Sequence, residues 1–261
     1  MDFLTFEKWI ATSPKWIANS PDLIQNFLYQ LYQTFIYNDR WKLFANGLKI
    51  TFIVTIGALI LGVILGLIIA IIRTSHDNIA IRKKPALLLR IGNSFCKFYL
   101  TVIRGTPMMV QLLIMGFVIM VPKTDTGMII CGIITLGINS GAYVAEIARS
   151  GIMSISVGQT EAGRSLGLSY VQTMFYIIIP QAIKNILPAL GNEMITLLKD
   201  TSLVSVIALR DVTKQTQNIV NKTYQAFVPY ISLAIIYLVI VIVLTKILGV
   251  FERRLRKSDH W

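Results

Sequence analysis

The sequence is short of charge and shorter still of side chains that do chemistry. Only 15% of its 261 residues are charged, against about a quarter in ordinary soluble domains. There are two histidines, His76 and His260, and neither belongs to an HExxH run or a Cys/His cluster, so no metal site is expected. No GxxxxGK[ST] run is present, which argues against a phosphate cradle of the chain's own. The 13 acids are mostly scattered through connectors. Neither a catalytic centre nor a cofactor is expected. Cys96 and Cys131 fall in or beside apolar stretches and read as packing residues rather than a disulfide. The first 45 residues are polar and aromatic, without a basic start followed by an apolar run, so no cleavable leader is expected.

What the chain has in abundance is hydrophobicity: 54% of residues and a mean hydropathy of +0.65. A soluble core of this size does not need such an excess, so the expectation is an all-α integral membrane protein in contact with lipid. The net charge of +12 raises the possibility of nucleic acid, but the cations flank apolar segments instead of forming a stripe, and no nucleic-acid partner is expected. Four stretches look able to span about 30 Å of hydrocarbon: 50–72, 98–121, 128–148 and 226–250. The first is free of charge, and its Gly57, Gly62 and Gly66 suit close helix packing. A fifth, 171–198, carries Pro180, Lys184, Asn185, Pro188 and Glu193. It is counted because the basic flanks otherwise cannot all fall on one side.

Arg73, Arg82, Lys83, Lys84 and Arg90 follow the first span, and Arg253, Arg254, Arg256 and Lys257 end the chain. Placing both groups inside gives an N-terminus out and a C-terminus in, as five spans require. The segment after the fourth span, with Lys199, Arg210, Lys214 and Lys222, dissents. Three regions follow: an amphipathic arm over 1–45, a transmembrane body over 46–251, and a basic cytoplasmic tail over 252–261. In the arm Leu23, Ile24, Phe27, Leu28, Leu31, Phe35 and Ile36 recur at helical steps. Such a helix suits either the membrane interface or the outer end of the bundle.

The most elaborate connector is the loop over 149–170. Ser156 and Gln159 have capping-box spacing, Gly167 supplies a left-handed helix end, and Ser169 with Gln172 repeats the box. A short helix clamped at both ends is expected there, presented to something on the cytoplasmic face.

GQTEAGRSLGLS at 158–169, followed by IIIPQA, resembles the EAA loop of permeases of ATP-binding-cassette (ABC) importers. RGTPMMVQLL at 104–113, GAYVAEIARSGI at 141–152 and LPALGNEMITLLKDTSLVSVI at 187–207 narrow the resemblance to the polar amino-acid permease family. The resemblance implies a type I importer permease fold in a bacterial cytoplasmic (inner) membrane. It further implies a dimer with itself or a sister permease, an external solute-binding protein, and separate ATPase subunits that bind the ATP. The 156–168 loop would then hold the coupling helix, with Glu161, Ala162, Gly163, Arg164, Leu166 and Gly167 at the ATPase contact. Gly163 departs from the motif, which has alanine there.

For the pathway, Arg90, Lys97, Arg104 and Gln111 share one helix face, and Arg104 precedes a Gly-Thr-Pro break that frees the carbonyl near Ile103. Arg104 and Glu193 are candidates for the two charges of a zwitterionic amino acid, with Thr106, Asn139, Glu146 and Asn192 as companions. A structural pairing of Arg104 with Glu146 is the plainer alternative. Lys199-Asp200-Thr201-Ser202 reads as a helix end followed by the next N-cap. At the level of function, the alternative to an importer subunit is an autonomous ion-coupled carrier or channel.

Overall fold

The computed structural model describes residues 5–80 and 84–257, and every regular element among them is helical. Arg82, Lys83 and His260 lie outside the described residues. The arm comprises α1 (Phe6–Thr12), α2 (Lys15–Ala18) and α3 (Asp22–Leu31). It is held together by rings: Tyr29 meets Phe6 at 5.3 Å and Trp9 at 5.4 Å between centroids. Arg40, buried, donates to the Gln33 carbonyl where the arm turns into the body.

The body begins with α4 (Trp41–Ala80), the longest helix, and continues through α5 (Leu87–Gly105), α6 (Met108–Ile114) and α7 (Asp125–Met153). Next come α8 (Val157–Ser165), α9 (Tyr170–Thr173), α10 (Ile179–Asp200), α11 (Val212–Thr223) and α12 (Phe227–Lys257). Among the described residues four segments are long and apolar enough to cross a membrane: Trp41–Asp77, Asp125–Met153, Tyr170–Ile207 and Phe227–Arg254. The second expected span, 98–121, is not one straight helix. Leu87–Gly105 and Met108–Ile119 meet at 104°, with the break at Thr106-Pro107. Proline there has no N–H to continue the ladder, and the residue before it is forced into an extended conformation.

The spine of the body is α4 packed on α7, running parallel. A β-carbon on Gly66 would lie 2.6 Å from Val144 Cβ, and one on Gly137 2.8 Å from Leu61 Cδ2, so glycine lets each backbone approach the other. Val54, Ala58, Cys131 and Leu136 from this seam join Leu112, Leu197 and Val204 in the main core. Both cysteines are buried and free. Close to the start of α4, α11 is capped by Asp211, which accepts from the N–H groups of Thr213 (3.0 Å) and Lys214 (2.9 Å). The cap expected at Thr201-Ser202 therefore falls at Asp211. Thr201 instead donates to the Leu198 carbonyl and opens a 3-10 turn, Thr201–Ile207, which ends in left-handed Ala208.

Candidate functional site

Two groups of residues stand out, one at the α7–α10 connector and one where α4, α5 and α7 converge.

In the connector, α8 ends in a Schellman motif. The Gly167 N–H donates to the Arg164 carbonyl (3.0 Å) and the Leu168 N–H to that of Gly163 (3.1 Å), with Gly167 at φ +83°. The box at Ser169 is complete: its hydroxyl accepts from the Gln172 N–H, and the Gln172 side chain accepts from the Ser169 N–H. The box expected at Ser156 does not form. Its side chain caps nothing, and Gln159 closes the first turn through the Ser156 carbonyl at 3.0 Å. The clamp is therefore at the C-terminal end of α8 alone. Glu161, Ala162, Arg164 and Leu166 are exposed, whereas Gly163 is buried. Val157 and Leu166, 72% and 80% exposed, give the surface apolar ends around the charged pair Glu161 and Arg164.

The second group surrounds a cavity of about 550 Å³ whose lining includes Arg73, Lys97, Arg104, Tyr143 and Glu146. The helix periods explain the convergence: Lys97 and Arg104 are seven apart on α5, Tyr143 and Glu146 three apart on α7. Arg104 lies 5.7 Å from the Tyr143 ring centroid, within cation–π range. Glu146 does not pair with Arg104. It accepts from Arg73 Nη1 at 2.7 Å, across the α4–α7 seam. One turn along, Arg149 donates to Asp77 at 3.2 Å, so the seam carries two ion pairs of opposite sense. With one carboxylate among three cations, the cavity has an excess of positive charge and a ring face beside it.

The polar companions divide. The carbonyl of Ile103 freed at the break accepts from Gln111 Nε2 at 2.8 Å, and the same amide group reaches Thr106 Oγ1 at 2.8 Å. Gln111 Oε1 in turn accepts from Asn139 at 3.0 Å. Thr106 and Asn139 thus belong to a brace around the α5–α6 bend. Glu193 accepts from Ser140 Oγ at 2.7 Å, between α10 and α7, and is absent from the cavity lining. Asn192 is exposed on α10. Of the six pathway candidates, Arg104 and Glu146 share the cavity. Arg73 and Tyr143 join them there, and neither is evident from sequence as a pathway residue. The complementary steps Arg73/Asp77 and Glu146/Arg149 are the signal that finds the first.

Residues 86–257 match the family model described as binding-protein-dependent transport system inner membrane component. The glutamine transport system permease protein GlnP of Escherichia coli (strain K12) is 36% identical over 216 residues, 82% of this chain and 93% of that protein. The arginine transport system permease protein ArtQ of Bacillus subtilis (strain 168) is 36% identical over 217 residues, again 82% and 93%. Among solved structures, the crystal structure of an amino acid ABC transporter with histidines aligns at TM-score 0.73 and 40% identity, over 90% of this chain and 99% of that one. An inward-facing structure of the MetNI methionine ABC transporter aligns at TM-score 0.68 over 84% and 99%, at 17% identity, a likeness of fold.

Proposed function

The chain belongs to the family of binding-protein-dependent transport system inner membrane components, and on that footing we propose that it is the permease subunit of an ABC importer for polar amino acids. It is a transport component and not itself an enzyme. In this reading α8 is the coupling helix: Glu161 and Arg164 meet charged groups in a groove of a separate ATPase subunit, with Ala162, Leu166 and Gly167 allowing close approach, while Gly163, expected at that contact, is buried against Thr173 and seats α8 on the body. The observation that carries the reading is that exposed, C-terminally clamped helix between two membrane-spanning segments. A connector needs only a turn. A helix locked by a Schellman end and an adjoining capping box is a rigid lever.

The cavity supplies the substrate reading. Arg104 and Lys97 offer cations for an amino acid's carboxylate, and Glu146 and the Tyr143 ring offer partners for its ammonium. Glu193, tied to Ser140, serves the packing of α10 on α7 in this reading. A second permease, a copy or a sister, completes the translocation path, and an external solute-binding protein delivers the amino acid. ATP is held by the ATPase subunits, and their closure switches the permease pair between inward- and outward-open states. The N-terminus lies outside and the basic C-terminus inside. The relatives named above are permease proteins of transport systems, and the autonomous-carrier alternative gains no support from them.

The test is coexpression with candidate ATPase subunits, comparing wild type with Glu161→Lys. The reading expects a stoichiometric ATPase with the wild type and its loss from the variant. An ATPase that copurifies equally with both removes Glu161 from the contact, and no association with either overturns the importer reading.

A further inference from the structure

The arm lies outside the residues that the family model matches, and its outward face is apolar. Leu23, Ile24 and Phe27 share one side of α3, and Leu23 is 83% exposed. Together with Asn26 and Gln30 they form one wall of a groove of about 420 Å³, whose other wall is Phe227 at the start of α12. Phe227 heads a stripe. Ile231, Ile235, Leu238 and Ile242 follow it at helical spacing, and all are exposed. On a membrane-spanning helix such a stripe faces acyl chains, so the groove continues a lipid-facing surface past the end of α12.

The length of α12 sets the depth of the groove. From Phe227 to Arg253 the helix rises about 39 Å at 1.5 Å per residue, against about 30 Å of hydrocarbon and 40–45 Å with both headgroup layers. With Arg253 and Arg254 in one headgroup layer, Phe227 and the α3 packed beside it fall in the other. The exposed aromatics agree: Trp41 opens α4, Tyr224 precedes α12, and Trp16 lies in the arm. Trp and Tyr with an apolar body and a polar tip populate membrane interfaces.

We propose that α3 is an interfacial membrane anchor. Its Leu23, Ile24 and Phe27 face sits among the acyl chains of the outer leaflet, and one phospholipid chain lies in the groove against Phe227. The arm thereby fixes the outer ends of α4 and α12 relative to the bilayer surface. The inference rests on the membrane placement of α12 and is independent of ATPase coupling.

Nitroxide labels on the full chain in phosphatidylethanolamine–phosphatidylglycerol nanodiscs test it. Leu23→Cys and Phe27→Cys report the arm, Ile235→Cys the lipid-facing stripe and Lys123→Cys an exposed connector. Cys96 and Cys131 are replaced by alanine. Both are buried, so the wild-type background serves if that replacement impairs assembly. Power saturation against oxygen and a nickel chelate gives a collision ratio at each site. The expected ratio at positions 23, 27 and 235 is several-fold above that at 123. Nickel-dominated collisions at 23 and 27, with 235 lipid-exposed, place the arm in water and overturn the proposal. Protection from both reagents at 23 and 27 means that protein, a second copy or another partner, covers the face, and overturns it too. Nickel access at 235 refutes the placement of α12, and the permease reading with it.

Discussion

Gly163 on α8 sits directly against Thr173 at the end of α9: a β-carbon on the glycine would lie 2.7 Å from Thr173 Cγ2 and 2.9 Å from Ile177 Cδ1. The alanine that the EAA pattern has at this place therefore does not fit beside Thr173. In an open helix, alanine gains about 1 kcal/mol over glycine, but overpacking a tight contact costs about 1–3 kcal/mol. Gly163→Ala is expected to lower the thermal midpoint in detergent and to weaken ATPase coupling by tilting α8. Adding Thr173→Ser removes Cγ2 while keeping a hydroxyl that can donate to the Ser169 carbonyl, as Thr173 does, and is expected to restore both. A single Gly163→Ala that stabilises would show that the contact is slack.

The α5–α6 bend depends on Gln111, whose amide bonds Ile103, Thr106 and Asn139 at once. Gln111→Leu leaves the Ile103 carbonyl without a partner at membrane depth. An unsatisfied buried polar group costs roughly 1–3 kcal/mol. The variant is expected to be destabilised by that amount and to raise the KM for uptake, because Arg104 is the second residue before the bend's Thr106. Gln111→Glu keeps the size but loses the donors and should resemble Leu in stability. Unchanged KM in both would detach the bend from the cavity.

Arg73 and Glu146 set a third test, which separates support from transport. Glu146→Ala strips the carboxylate partner from Arg73, whose side chain is only 15% exposed. Breaking a fully buried pair costs about 3–5 kcal/mol, and this partly exposed one is expected to cost roughly 1–3. Arg73→Met with Glu146→Leu removes both charges and should recover most of the stability. Uptake should stay lost in the double variant, since Glu146 faces the cavity. Recovery of uptake along with stability would make the pair purely structural.

Much of this was legible in the sequence, because helix period and breaker chemistry are local. The charge-free run at 50–72 announces α4, Thr106-Pro107 announces the break, and Gly167 with the Ser169 box announces the end of α8. What the sequence hides is which face meets which. Arg73 reads as a flanking cation that sets orientation, yet it lies across the seam from Glu146 because Gly66 and Gly137 bring α4 and α7 into parallel contact. Arg104 and Glu193 both look like intramembrane charges awaiting a partner, but each finds a different one on α7: Glu193 accepts from Ser140, and Arg104 lies over the Tyr143 ring. Ser156 fails as a cap although its spacing is right, and the Gln159 side chain that would complete the box accepts from Gln181 instead.

Asp211 carries a pH dependence that can be read in the folded protein. Its side chain is fully buried as the cap of α11, and burial pushes its carboxyl up to about 6, outweighing the N–H groups of Lys214 and Thr213 that favour the ionised form. In the unfolded chain the same group ionises near 3.9. Between those values the folded state holds a proton that the unfolded state has released, so this group's contribution to stability is full below about pH 4 and is lost as pH rises through about 6. The difference amounts to at most about 3 kcal/mol. Asparagine caps a helix about as well as aspartate and does not titrate. Thermal midpoints measured from pH 4 to pH 8 should therefore show the wild type gaining on Asp211→Asn as the pH falls, with the steepest change around pH 5. Parallel curves for the two proteins would mean that Asp211 is ionised throughout that range and that its two N–H bonds outweigh its burial.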